Sequence, residues 1–236
     1  MLGTSEVLAR LITDVKEKYD FDQIVDLGSG SGGPMPEAIQ FINQNKGHQS
    51  IKLLLSDFHP NPAVVQSFNR QNSSSIRYHE SPLDARNLNT TPDGLKTMVA
   101  SFHHMRPAVA KEILQSAEQS KQPILIYELA HNNIPLLVWI LLLPLSLSIL
   151  ILMCLFMTPF VRPLKFSQLL FTYLIPVIPL IYAWDGQASL MRTYTFSDIK
   201  NLIGNEDSSD YVWEMDDATK ENGKKSGYYV LGYPKV

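Results

Sequence analysis

Residues 24–33 read Ile-Val-Asp-Leu-Gly-Ser-Gly-Ser-Gly-Gly, an apolar run that ends in an acid and four glycines. Glycine permits positive φ and lets a ligand approach the backbone closely, so Gly28, Gly30, Gly32 and Gly33 describe a tight ligand-holding turn at the end of a buried strand. Gly28, Gly30 and Gly33 also satisfy the spacing of a dinucleotide turn, a match that alone is weak. Further along, carboxylates and imidazoles fall at the ends of other apolar runs: Asp57 and Phe58 after IKLLLS, Asp84 after a third run, Ser101, His103 and His104 after a fourth, and Glu128 closing PILIYE. Such a set can hold a polar ligand and move a proton near neutral pH.

Three features separate the glycine turn from that of a nicotinamide enzyme. Asp26 precedes the first glycine by two residues, where it can meet the cationic amino end of a methionine-like ligand. Pro34 and Pro36 follow the turn and predict that no helix starts at once to receive a pyrophosphate. A helical pattern also precedes the first strand, and a hairpin pattern closes the chain. With these residues the chain resembles the class I S-adenosylmethionine-dependent methyltransferases, whose D/E-x-G-x-G-x-G motif is matched by Asp26 to Gly32. The resemblance covers about residues 5–131 and 190–236. It implies S-adenosylmethionine as cofactor, with Asp57 on the ribose hydroxyls, Phe58 against the adenine and Asp84 on its amino group. Ser101-Phe102-His103-His104-Met105 resembles the strand-four ending of members that act on small molecules and lipids.

Methyl transfer from a sulfonium needs alignment of the acceptor and exclusion of water. A hydroxyl acceptor also benefits from a base, which makes His103, His104 and Glu128 the candidate catalytic residues. His59, His79 and His131 share no metal-ligand spacing, so no metal is expected. Catalysis is one reading. A membrane-bound protein that binds the cofactor without turning it over is another, and a soluble acceptor is a third.

The elements that must position these residues alternate. A helix at 5–18 is followed by strands at 23–27, 51–56, 76–80, 97–102 and 123–128, with helices at 36–43, 62–69 and 107–120 between them. A helix at 195–203 and a hairpin of 211–215 with 228–233 end the chain. This order predicts an α/β, doubly wound, Rossmann-like sheet of seven strands, the last antiparallel.

Interrupting it are 30 residues, 132–161, without a charged or histidine side chain, and another 19 such residues, 166–184. Ile134–Phe156 is long enough to cross a bilayer, for which about 20 residues are needed. We therefore expect 1–131 and 186–236 to form one domain and 132–185 an inserted hydrophobic hairpin that associates with a membrane. Because the flanking segments share one sheet, either two spans or a re-entrant dip is required, with the catalytic domain on the cytoplasmic side. The acceptor expected of such an arrangement is small and lipid-soluble. A net charge of −3 and scattered basic residues give no signature for nucleic acid. The single cysteine, Cys154, excludes an internal disulfide and suits a reducing compartment.

Overall fold

A computed structural model of the chain describes residues 3–44, 50–71, 73–131, 134–162, 164–204 and 210–235. Two compact units emerge, one of Met1–His131 with Phe196–Val236 and the other of Asn132–Thr195. The expected boundary at Asn132 lies outside the described residues.

In the first unit, α1 (Thr4–Lys18) leads into β1 (Gln23–Leu27), α2 (Met35–Gln44), β2 (Lys52–Ser56), α3 (Pro62–Asn69) and β3 (Ile76–Tyr78). Then come β4 (Leu95–Val99), α4 (Pro107–Ser120) and β5 (Ile124–Glu128). The seven strands lie in the order 3-2-1-4-5-7-6. β1 to β5 are mutually parallel, and β7 (Lys225–Pro234) runs antiparallel between β5 and β6 (Tyr211–Thr219). Parallel strands are covered on both faces, so β5 is buried throughout and β1 from Ile24 to Leu27. α1 turns Val7, Leu8, Leu11, Ile12 and Val15 inward at helical spacing, and α2 adds Ala38, Ile39 and Ile42 to the same core.

Several boundaries differ from expectation. β4 begins at Leu95 and stops at Val99, because Ala100 adopts a left-handed φ of 49° and 102–104 form a short 3₁₀ turn. β3 ends at Tyr78 rather than Glu80. The hairpin strands are longer than predicted, since polar Asp216, Asp217 and Thr219 still pair in register opposite β7. Pro34 and Pro36 do not delay a helix. α2 starts at Met35, where a proline at the first turn is tolerated because its missing N–H would have no partner.

The second unit contains α5 (Leu136–Met157), the short α6 (Phe166–Leu169), a π turn at 170–174, and α7 (Val177–Arg192). α7 continues through Asp185 to Arg192, so this unit extends beyond residue 185 to Thr195. Within it, the Trp139 indole donates to Gln187 Oε1 at 3.0 Å, and Tyr173 donates its hydroxyl to the Leu155 carbonyl. Leu136–Phe160 is long and apolar enough to cross a membrane, with a mean hydropathy of 2.8 and only 6% of its most apolar window buried. The segments 166–174 and 177–192 are bent by 80° at Ile175-Pro176 and pass the same test only together, as a broken span or a re-entrant loop. α8 (Phe196–Ile203) returns the chain to the first unit.

The β5–β7 pairing depends on one glycine. At Gly227, φ is +85°, and an added Cβ would lie 2.0 Å from the Glu128 carbonyl oxygen. Gly227→Ala is expected to cost about 2–4 kcal/mol, read as a lowered urea midpoint with unchanged slope. A loss below about 0.5 kcal/mol would show that this edge of the sheet yields easily.

Candidate functional site

Asp26, the last residue but one of β1, has its carboxylate enclosed and is 2% exposed. Its Oδ1 accepts from Thr97 Oγ1 on β4 and its Oδ2 from Ser29 Oγ in the turn, both at 2.6 Å. Its backbone carbonyl accepts from Ser56 Oγ on β2 at 2.8 Å. Burial pushes the Asp26 carboxyl up to about 6, against the lowering effect of the two hydroxyls and with some repulsion from Asp57.

The turn it anchors bends over the strand ends. Gly32 has φ +102°, and a Cβ there would sit 2.6 Å from the Phe68 ring, so the turn closes only with glycine. Gly30 donates its amide to Asp57 Oδ2 at 3.0 Å, and its carbonyl accepts from the Tyr78 hydroxyl at 2.9 Å. Asp57 Oδ1 also accepts the His59 amide at 2.8 Å, which fixes the carboxylate at the end of β2.

A cavity of about 440 Å³ opens beside this turn. Gly28, Asp57, Phe58, Asp84, Ser101 and His104 all line it, so six of the eleven candidate residues share one crevice. Phe58 leaves its ring 47% exposed there. Its deeper wall is apolar, built by Met98 from β4 and by Val109 and Ile113 from α4. Asp26, Gly30 and Gly32 do not line it; they brace the turn behind Gly28.

The two histidines divide. His104 faces the cavity, whereas His103 turns to Glu128. Glu128, 2% exposed at the end of β5, receives the His103 backbone amide on Oε1 at 3.0 Å and the His103 ring Nδ1 on Oε2 at 2.8 Å. With Nδ1 turned to this carboxylate, Nε2 is the ring nitrogen left for another partner. The imidazole rings of His103 and His104 lie 4.1 Å apart. This is a histidine oriented by a buried carboxylate, an arrangement compatible with general-base chemistry. His131 is occupied elsewhere, by Asp217 at 2.8 Å and the Gly227 carbonyl.

Sequence reasoning missed three contributors. Thr97 was read only as a strand residue, and its bond to Asp26 follows from the β1–β4 register that places them opposite each other. The Tyr78 hydroxyl reaches the turn from β3. Arg86, two residues past Asp84, holds that carboxylate through Nη2 at 2.6 Å and Nε at 3.0 Å, which keeps Asp84 below the usual carboxylate range. Lys96, by contrast, is fully buried and pushed down to about 8, yet it lies at the amino end of β4 on the Pro92 and Gly94 carbonyls. Among the described residues no cluster of His, Cys, Asp or Glu side chains is placed to hold a metal ion.

No family model and no curated protein matches the chain. Solved structures do. The plantazolicin methyltransferase BpumL, in complex with SAH, is 12% identical with a TM-score of 0.58, covering 99% of this chain and 84% of its own. The same enzyme with a triazolic desmethylPZN analog and SAH gives 10% identity, a TM-score of 0.57, and coverage of 100% and 86%. TnmH gives 17% and 0.50, and this chain spans 56% of it. At these identities the likeness establishes the fold: a Rossmann-like sheet of the methyltransferase type.

Asp26 makes that turn sensitive to pH. Its folded value of about 6 lies above the ordinary 3.8, so its contribution to stability is complete below about pH 4 and is lost as pH rises through 6. Asp26→Asn removes this loss. Relative to wild type, the variant should gain about 1 kcal/mol in urea unfolding between pH 5 and pH 7.5. An unchanged difference across that range would mean that Asp26 is ionised in the folded chain well below pH 5.

Proposed function

We propose that this protein binds S-adenosylmethionine in the crevice beside Gly28 and transfers its methyl group to a small, lipid-soluble acceptor, with His103 as base. The observation that carries the reading is the pairing of two devices on one sheet edge. On one side the glycine turn, Asp57, Phe58 and Asp84 offer polar and aromatic contacts suited to a nucleoside. On the other, Glu128 orients His103. In this reading Asp57 takes the ribose hydroxyls, and Phe58 and Asp84 take the adenine. Gly28 and Ser101 line the middle of the crevice, and Asp26, Gly30 and Gly32 maintain the turn.

In-line attack on a sulfonium methyl needs no proton for the leaving sulfide, so the protein's work is alignment and removal of the acceptor's proton. His103 Nε2 takes that proton from a hydroxyl as the oxygen–methyl bond forms and the methyl–sulfur bond breaks. Glu128 stabilises the resulting imidazolium. His104, on the cavity wall, orients the acceptor. That BpumL is a methyltransferase solved with SAH in the same fold supports the cofactor assignment.

The acceptor class rests on the second unit. Leu137, Leu141, Phe166 and Leu174 are each at least 75% exposed, and a surface of this kind is covered by lipid or by another apolar body. The apolarity of α5 is not confined to one face, which fits immersion better than lying at an interface. The chain enters this unit directly after β5 and leaves it before α8, so both ends return to one sheet. Any crossings are therefore even in number, with the sheet on the cytoplasmic side where the cofactor is available.

Two tests follow. Release of S-adenosylhomocysteine from purified protein given S-adenosylmethionine and a membrane-lipid extract should fall about 10²- to 10⁴-fold in His103→Ala while cofactor affinity holds. Glu128→Gln should fall less, with its pH profile shifted. Undiminished turnover in His103→Ala would remove the base from the mechanism. In spheroplasts, a cysteine placed at Lys165 of a Cys154→Ser background should react with a membrane-impermeant maleimide if two spans cross. Protection there, with labelling only after permeabilisation, selects the re-entrant dip.

A further inference from the structure

We propose that Arg86 occupies the adenine position of the crevice and that cofactor entry displaces it onto Glu112; this rests on the nucleoside assignment above. A guanidinium shares two properties with adenine: a flat face, and an edge of N–H donors. Arg86 uses both on the residues assigned to adenine. Its Nε lies 3.0 Å from each Asp84 oxygen and its Nη2 2.6 Å from Oδ2, and its backbone amide adds a further bond to Oδ1 at 2.9 Å. Its Cζ stands 5.8 Å from the Phe58 ring centroid. A base stacked between the two groups needs about 7 Å, two contacts of roughly 3.5 Å each, so the slot is closed while Arg86 stays.

A second carboxylate is within reach. Glu112, on α4, lies 3.9 Å from Arg86 Nη1 and is half-exposed. A small rotation exchanges Asp84 for Glu112, keeps the guanidinium paired, and frees the aromatic face together with the Asp84 oxygens. The exchange gives up the short bonds to Asp84 for a longer contact with Glu112, a modest cost because both pairs are partly open to solvent. Arg86 thereby sets how readily an adenine enters and selects for ligands whose own edge can replace its bonds to Asp84.

The test is calorimetric binding of S-adenosylhomocysteine to the purified protein. Arg86→Ala should tighten binding about two- to tenfold, from the loss of an exposed ion pair and a cation–π contact. Glu112→Gln, which removes the receiving carboxylate, should weaken it about two- to fivefold. Raising KCl should tighten binding to wild type, by screening the latch, and leave Arg86→Ala unaffected. Equal or weaker binding in Arg86→Ala would overturn the latch and make Arg86 a neutral neighbour or a clamp on the bound base. Absence of binding in every variant, wild type included, would instead overturn the nucleoside assignment on which the proposal stands.

Discussion

Asp26 is the point from which the site is built. A carboxylate buried this deeply is tolerated only with full hydrogen bonding, and its partners come from three directions: Thr97 on β4, Ser29 in the glycine turn and, through its carbonyl, Ser56 on β2. These bonds set the heights of three adjacent strand ends against one another. They also hold the turn over the crevice, since Ser29 additionally donates its amide to the Ser56 carbonyl at 2.8 Å. Satisfied in this way, the polar network specifies one arrangement of the strand ends, at the cost of a carboxyl whose charge is disfavoured.

The rest of the sheet edge is arranged around that centre. To one side, Asp57 is held in one orientation by the Gly30 and His59 amides. To the other, β4 ends early because Ala100 turns left-handed, with its amide on the Tyr127 carbonyl at 2.8 Å. A non-glycine residue in that region is strained, and here the strain reverses the chain so that the His103 amide and ring both reach Glu128. The carboxylates Asp26 and Asp57 thus lie at the ends of β1 and β2, and the His103–Glu128 pair at the ends of β4 and β5. The parallel topology brings the halves together from residues some 100 positions apart in the chain.

Much of this was legible in the sequence where local chemistry decides. The run Ile24 to Leu27 followed by glycines, PILIYE closing on Glu128, and the uncharged stretch from Asn132 each announce themselves by composition. The failures share a cause. α2 starts at Met35, one residue before the expected Pro36, because its first turn has no use for that proline's missing amide. Asp185 was read as the end of the apolar insertion, whereas α7 runs on, with Gln187 bonded to Trp139. The register that pairs Thr97 with Asp26 and the closure of Arg86 onto Phe58 are tertiary facts that no local pattern encodes. Of the adjacent histidines, sequence gave the pair, and only the fold assigned one to the cavity and the other to Glu128.

The apolar unit gives the chemistry its proposed setting, in which the acceptor partitions into lipid and the cofactor arrives from water. The measurement that tests this account most directly is transfer of an isotopically labelled methyl group from S-adenosylmethionine into a total membrane-lipid extract by the purified protein, followed by mass spectrometry. The account predicts label in a single organic-soluble compound bearing one added methyl group on oxygen. Label found solely in water-soluble acceptors, or in none although the cofactor binds, would contradict it.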